Sequence, residues 1–66
     1  VALLMAVIAE LPEDRQQLLL LKYVENMSNA EISRVMGRTE GAVKSLYHRT
    51  LIALRRKLKA KGYNLE

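Results

Sequence analysis

Three short signals between residues 28 and 39 constrain the fold of this chain more than any other feature of its sequence. Ser28 and Glu31 have the spacing of a capping box, in which the two side chains bind free amides at the start of a helix. Gly37 is typical of a residue that ends a helix in the left-handed conformation, and Thr39 is a favourable cap for the next helix. The sequence therefore predicts a helix of about eight residues, a tight turn and a second helix.

Helices are predicted for nearly the whole chain, because only three glycines and one proline interrupt its 66 residues. Pro12 separates the first two helices, since proline suits the first turn of a helix. The predicted helices cover residues 1–10, 12–25, 29–36 and 40–59. The predicted fold is therefore all-α, a small bundle of three to four helices with a C-terminal helix-turn-helix at residues 28–58. We expect residues 1–66 to form a single domain.

Apolar side chains recur at helical spacing and predict a core. On a helical wheel, a stripe centred on Val43 runs along the fourth helix and includes Tyr47, Thr50, Leu54 and Leu58. The other predicted core members are residues 1–9 and 18–21, Ile32, Met36 and, as a second core aromatic, Tyr23. Ile52 lies opposite the stripe, so we expect it to be exposed, either as an ordinary surface isoleucine or as a contact for a protein partner.

Charge is distributed unevenly along the chain. Residues 34–66 hold nine of the eleven lysines and arginines, and residues 1–33 hold five of the seven acids. On the helical wheel, the basic side chains of the fourth helix point away from the buried stripe, as expected for a surface that binds a polyanion. Five cations lie at and just after the C-terminal end of the fourth helix, and they either attract phosphate or keep the domain in solution. They are Arg55, Arg56, Lys57, Lys59 and Lys61.

Several classes of protein are excluded by composition. The chain has no cysteine and a single histidine, so it has no disulfide, no thiolate zinc site and no His-rich metal site, and we predict no cofactor. No nucleophile is paired with His48, and no acid–base pair converges, so we do not expect an enzyme. The longest apolar run, residues 1–9, is too short to span a bilayer and lacks the features of a signal peptide. We expect a cytoplasmic protein and, since the chain begins at Val1, an excised domain or fragment.

The sequence resembles region 4 of bacterial RNA polymerase sigma factors, most closely those of the extracytoplasmic-function class. The likeness runs without gaps from about Leu11 to Leu58. It is carried by Leu11-Pro12, Ser28, Glu31-Ile32, Gly37, Gly41-Ala42-Val43-Lys44-Ser45, His48-Arg49 and Leu54-Arg55. The resemblance implies that the domain binds the −35 element of double-stranded promoter DNA and packs on the flap of the β subunit of core RNA polymerase. It also implies an anti-sigma factor as a further partner.

The turn and the first half of the fourth helix are the predicted DNA-binding site. Its candidates are Arg38, Thr39, Glu40, Lys44, Ser45, His48 and Arg49. Lys44 and Arg49 are the strongest, because either can hold phosphate and arginine can bind guanine through two hydrogen bonds. Thr39 is first a cap, and Glu40 repels phosphate unless it accepts a bond from a cytosine amine. Gly41 in a first turn predicts a close approach, by the preceding helix or by the DNA backbone.

Four positions depart from the pattern of the family. Arg38 stands where an apolar residue is usual and Ser33 where alanine is usual, so we expect both to loosen the helix-turn-helix core. Leu46 and Leu51 stand where arginine is common, so we expect the DNA-binding face to lack two basic groups there.

Two other functions fit the same pattern. A DNA-binding domain of a LuxR-type regulator has a similar turn, and such domains commonly dimerise through the last helix. A sigma-like module that binds protein partners without contacting DNA bases is the second alternative. A basic amphipathic helix lying on a membrane is the least favoured, because the apolar stripe is already needed for the core.

Overall fold

Four α-helices account for most of residues 2–62, the part of the chain that the computed structural model describes. They are α1 (Ala2–Ala9), α2 (Glu13–Tyr23), α3 (Asn29–Met36) and α4 (Glu40–Ala60). No strand occurs among the described residues, which confirms the predicted all-α class. Val1, which belongs to the predicted first helix, lies outside the described residues. Within this range no helix is both long and apolar enough to cross a membrane.

Polar caps fix the ends of the helix-turn-helix as the sequence predicts. The Glu31 amide donates to Ser28 Oγ at 3.1 Å, and the Ser28 amide donates to Glu31 Oε1 at 2.9 Å, which completes the capping box. Gly37 ends α3 in the left-handed conformation, with φ of 66°. At the start of α4, Thr39 Oγ1 accepts a hydrogen bond of 3.1 Å from the Ala42 amide.

The main core lies where α4 packs against α2 and α3. Its buried members are Leu18, Leu21, Ile32, Val43 and Leu46, and the partly buried Met27, Met36 and Tyr47 pack against them. The predicted joint core is therefore confirmed for Ile32, Met36, Val43 and Tyr47. Leu54 is half-buried and lies apart from this cluster, in a groove between α1, α2 and α4. Thr50 is fully buried, and its hydroxyl donates to the Leu46 carbonyl at 2.6 Å.

The prediction that residues 1–9 are core is wrong for most of α1. Val7 is fully buried, but Met5 is 62% exposed and Leu3 and Leu4 are also exposed. The helix has only eight residues and packs chiefly against α4, so most of its apolar side chains stay exposed and Ile8 is half-buried. An apolar sequence can fill a core only where another element covers it.

The prediction for α2 also assigns too many residues to the core. Leu18, Leu19 and Leu21 are buried, whereas Leu20 is 51% exposed because it turns away from the core between them. Tyr23 is 58% exposed, so its assignment as a core aromatic is wrong. Its hydroxyl instead forms a hydrogen bond at the surface with the hydroxyl of Tyr47, a half-buried residue of α4.

Candidate nucleic-acid interface

Helix α4 has one buried side and one exposed side, and the candidate DNA-binding residues are on the exposed side. Val43, Leu46 and Thr50 are buried against the rest of the domain. All seven predicted site residues are exposed: Arg38, Thr39, Glu40, Lys44, Ser45, His48 and Arg49. The fold therefore brings them to one end and one face of α4, and their contact with DNA stays a prediction.

The exposed face offers hydrogen-bond donors that have no acceptor among residues 2–62. Arg49 Nε donates to the Ser45 carbonyl at 3.4 Å, and the terminal nitrogens of Arg49 have no partner within residues 2–62. The Lys44 ammonium and the His48 ring likewise make no hydrogen bond or ion pair among the described residues. Lysine and arginine in this state can bind phosphate or base edges without first breaking an internal bond.

The start of α4 also presents backbone amides. The first intrahelical bond runs from the Val43 amide to the Thr39 carbonyl, and the Ala42 amide is bound by the Thr39 side chain. The amides of Glu40 and Gly41 precede these bonds, so they are directed outward at the positive end of the helix dipole. The Glu40 carboxylate occupies the same end, where it stabilises the helix and opposes an approaching phosphate.

Gly41 has open space around it. A Cβ atom built at Gly41 meets no heavy atom within 4 Å. The prediction that the preceding helix approaches closely is therefore wrong, and close approach by the DNA backbone stays a prediction.

Arg38 lies at the surface and not in the helix-turn-helix core. Its Nη2 atom is 3.1 Å from Asp14 Oδ2, and the two side chains are 41% and 40% exposed. At the half-buried Ser33, the hydroxyl donates to the Ala30 carbonyl at 2.7 Å and is thus satisfied, and the expected loosening of the core there stays a prediction.

Leu46 and Leu51 both lie off the exposed face of α4, so the prediction that they remove basic groups from the candidate DNA-binding face is wrong. Leu46 is 5% exposed and belongs to the main core. Leu51 is half-buried and lines the groove between α1, α2 and α4. Leu46 lies about 60° from Val43 on the helical wheel, so the sequence already contained the signal for its burial.

The structure divides the C-terminal cations into two groups. Lys57 Nζ and Lys61 Nζ lie 3.4 and 3.3 Å from the two carboxylate oxygens of Glu10. These contacts lower the pKa of Glu10. The hydrogen bond and the positive charge of Lys61 have the largest effect, and those of Lys57 add to it. Arg55, Arg56 and Lys59 are exposed and form no ion pair within residues 2–62. Lys57 and Lys61 thus join α4 to the end of α1, and the other three cations face solvent.

An apolar groove of about 750 Å³ runs between α1, α2 and α4. Its lining includes Leu4, Met5, Leu20, Val24, Leu51 and Leu54. Sequence analysis missed this groove because it assigned α1 and Leu20 to the core. The groove and the basic face of α4 are separate surfaces, since they share none of the seven DNA-binding candidates.

Comparison with known proteins agrees with this architecture. The family model described as "Sigma-70, region 4" matches residues 2–54. The chain is 37% identical over 57 residues to the ECF RNA polymerase sigma factor BldN of Streptomyces coelicolor, an alignment that covers 86% of this chain and 22% of BldN. It is 38% identical over 60 residues to the RNA polymerase sigma-E factor of the same organism, with 91% of this chain and 34% of that protein covered.

These matches agree with the resemblance seen in the sequence and disfavour the alternative of a LuxR-type domain. The chain spans between about a fifth and a third of the length of the two sigma factors. The family match alone covers more than half of the chain. The chain belongs to the sigma-70 region 4 family.

Proposed function

We propose that this chain binds the −35 element of promoter DNA through the exposed face of α4, as the region 4 domain of a sigma factor that directs transcription initiation by bacterial RNA polymerase. The observation that carries the proposal is the exposure of Lys44, Ser45, His48 and Arg49 on one side of a helix whose other side is buried. This helix is the second of a capped helix-turn-helix, the element that enters the major groove in such proteins.

The geometry of α4 limits which residues can contact bases. Only the first turns of a recognition helix enter the groove deeply, so on this proposal the exposed residues between 38 and 49 contact DNA and Lys59 does not. Within this stretch, phosphate contacts fix the position of the helix, and base-edge contacts select the sequence. Arg49 is the strongest candidate for a base contact, because its terminal nitrogens match the two acceptors of guanine.

Alanine substitution of Lys44 and Arg49 tests the proposal. We expect Lys44→Ala and Arg49→Ala to weaken binding to promoter duplexes without unfolding the domain, since neither side chain is buried. A lost phosphate contact lowers the salt slope by about one unit, whereas a lost bidentate base contact costs about 1–3 kcal/mol and relaxes preference at one base position. Fluorescence anisotropy at several salt concentrations separates the two, with the protein alone and assembled with core RNA polymerase.

Lys59→Ala is the matched control, because Lys59 is an exposed cation of the same helix that lies beyond the groove-entering turns. It should leave base preference unchanged. The proposal is contradicted if both Lys44→Ala and Arg49→Ala keep wild-type promoter affinity and an unchanged salt slope in the polymerase complex. Another surface would then bind the DNA.

A second candidate function is the binding of a protein partner in the apolar groove, which is favoured by its exposed leucine and methionine side chains. Contiguous apolar surface of this kind is typical of interaction sites. The family resemblance suggests the polymerase β flap or an anti-sigma factor as this partner. Ile52, which is 38% exposed, is the alternative contact. Leu20→Ser should weaken association with core polymerase in titrated pull-downs, and Ile52→Ser should not; the reverse result would assign the contact to Ile52.

A further inference from the structure

A single ion pair joins the first turn of α2 to the turn that precedes α4. It links Arg38 Nη2 to Asp14 Oδ2 at 3.1 Å, across 24 positions of the chain. Each side chain keeps about two-fifths of its surface exposed, so the pair is open to solvent and to a ligand. Arg38 directly precedes Thr39, the cap of the helix that is proposed to enter the groove.

The backbone at Arg38 is held in place while its side chain is not buried. The Ser33 carbonyl accepts hydrogen bonds from the amides of both Gly37 and Arg38, the latter at 3.0 Å. Movement of the Arg38 guanidinium away from Asp14 therefore needs only rotation of the side chain. A guanidinium binds carboxylate and phosphate with the same fork of donors, so the two groups compete for it.

We propose that Asp14 competes with a DNA phosphate for Arg38 and thereby lowers the affinity of the domain for DNA. In the free protein, Asp14 neutralises Arg38, the cation that directly precedes the N-cap of α4. When DNA binds, Arg38 leaves Asp14 and pairs with a phosphate, and Asp14 returns to water. This inference rests on the proposed function, since it assumes that α4 is the helix that contacts DNA.

The test is a double-mutant cycle of Asp14→Asn and Arg38→Gln, with binding to a promoter duplex measured by anisotropy. We expect Asp14→Asn to raise affinity by about two- to fivefold, the size that an exposed ion pair permits. The gain should disappear in the Arg38→Gln background, because no guanidinium is then released. Glu13→Gln is the matched control: Glu13 is the exposed neighbour in the same first turn and has no ion pair within residues 2–62, so this change should give a smaller gain.

Three outcomes would overturn the inference. Equal gains from Asp14→Asn and Glu13→Gln, or a gain that survives Arg38→Gln, would assign the effect to general repulsion of phosphate. A loss of affinity in Asp14→Asn would show that the pair holds Arg38 ready for DNA. Lys44→Ala and Arg49→Ala are measured in parallel: if they have no effect, the proposed function fails as well, and if they weaken binding, only the role of Asp14 is rejected. Unfolding midpoints of all variants establish that the fold is retained.

Discussion

Helix α3 and helix α1 have the same length, eight residues, but the sequence specifies them in opposite ways. Helix α3 has a complete capping box, a left-handed glycine at its end and one fully buried apolar residue, Ile32. Helix α1 is apolar along its whole length, has no acidic residue in its first turn and no basic residue in its last. Only Val7 of α1 is buried. Polar residues at the ends thus specify a helix more reliably than its apolar content specifies its burial.

The difference follows from the range of the forces involved. A cap acts between residues three or four positions apart, so it works wherever the helix lies in the fold. Burial requires another element to cover the side chain, and α1 packs chiefly against α4. The uncovered apolar residues of α1 and α2 then form a groove, a surface expected for a protein partner and not for the DNA.

The largest expected effect comes from comparing an apolar residue of each helix. Ile32→Ala should lower the free energy of unfolding by about 2–5 kcal/mol, because it leaves a cavity at a fully buried site. For a domain of this size, that is a large part of the total stability. Met5→Ala should change stability by less than about 0.5 kcal/mol, since Met5 is 62% exposed. Urea denaturation followed by circular dichroism measures both. Comparable losses from the two changes would show that α1 belongs to the core in solution.

The same contrast explains what could be predicted from the sequence. The bounds of α3 and the start of α4 were predicted correctly, because Ser28, Gly37 and Thr39 are local signals. The exposure of the candidate DNA-binding face also follows from the helical wheel. The burial of Leu46 was missed because the family resemblance presents Leu46 as a replacement for a basic residue, although it lies as near to Val43 on the helical wheel as Leu58 does.

Other features depend on how the helices are arranged in space and are not visible in the sequence. The Arg38–Asp14 pair spans 24 positions and the Lys57–Glu10 pair spans 47. Which of many acids meets which cation at such separations depends on the angles between helices, and helical periodicity does not give these angles. The apolar groove was hidden for the same reason, since α1 alone does not reveal which of its sides α4 covers.

The next effect concerns two glycines, one inside the turn and one in the first turn of α4. Gly37→Ala should lower the free energy of unfolding by about 1 kcal/mol, because φ is 66° at this residue and alanine is strained there. Gly41→Ala should raise it by about 0.4–1 kcal/mol, since Gly41 is helical and a Cβ atom meets nothing within 4 Å. Thermal and urea unfolding of the two variants should therefore shift in opposite directions.

DNA binding by the Gly41 variant sharpens this comparison. If the DNA backbone passes close to Gly41, the alanine variant is more stable than wild type and yet binds promoter DNA more weakly. Anisotropy with the same duplex measures this, with Gly37→Ala corrected for its folded fraction as the control. A Gly41→Ala variant that is both more stable and equally tight would remove DNA as the reason for the glycine.

The smallest expected effect comes from the ion pairs between Glu10, at the end of α1, and Lys57 and Lys61, at the end of α4. Hydrogen bonding and attraction by Lys61, then Lys57, hold the pKa of Glu10 below its ordinary value of 4.5. A carboxyl whose pKa is lower in the folded protein stabilises the fold above its unfolded pKa, and this contribution is lost as the pH falls through the folded pKa. We therefore expect Glu10→Gln to be less stable than wild type near neutral pH and equal to it once the pH has fallen below the folded pKa and the carboxyl is protonated.

The Glu10 side chain is exposed, so this difference is small and salt reduces it, because ions screen exposed charges. Urea unfolding of wild type and Glu10→Gln between acidic and neutral pH, at low and high salt, measures it. Glu13→Gln is the control, since it removes the same charge from an exposed residue without an ion pair in residues 2–62 and should change stability less than Glu10→Gln does. If the Glu10→Gln deficit persists at low pH or at high salt, it does not arise from attraction between Glu10 and the two lysines.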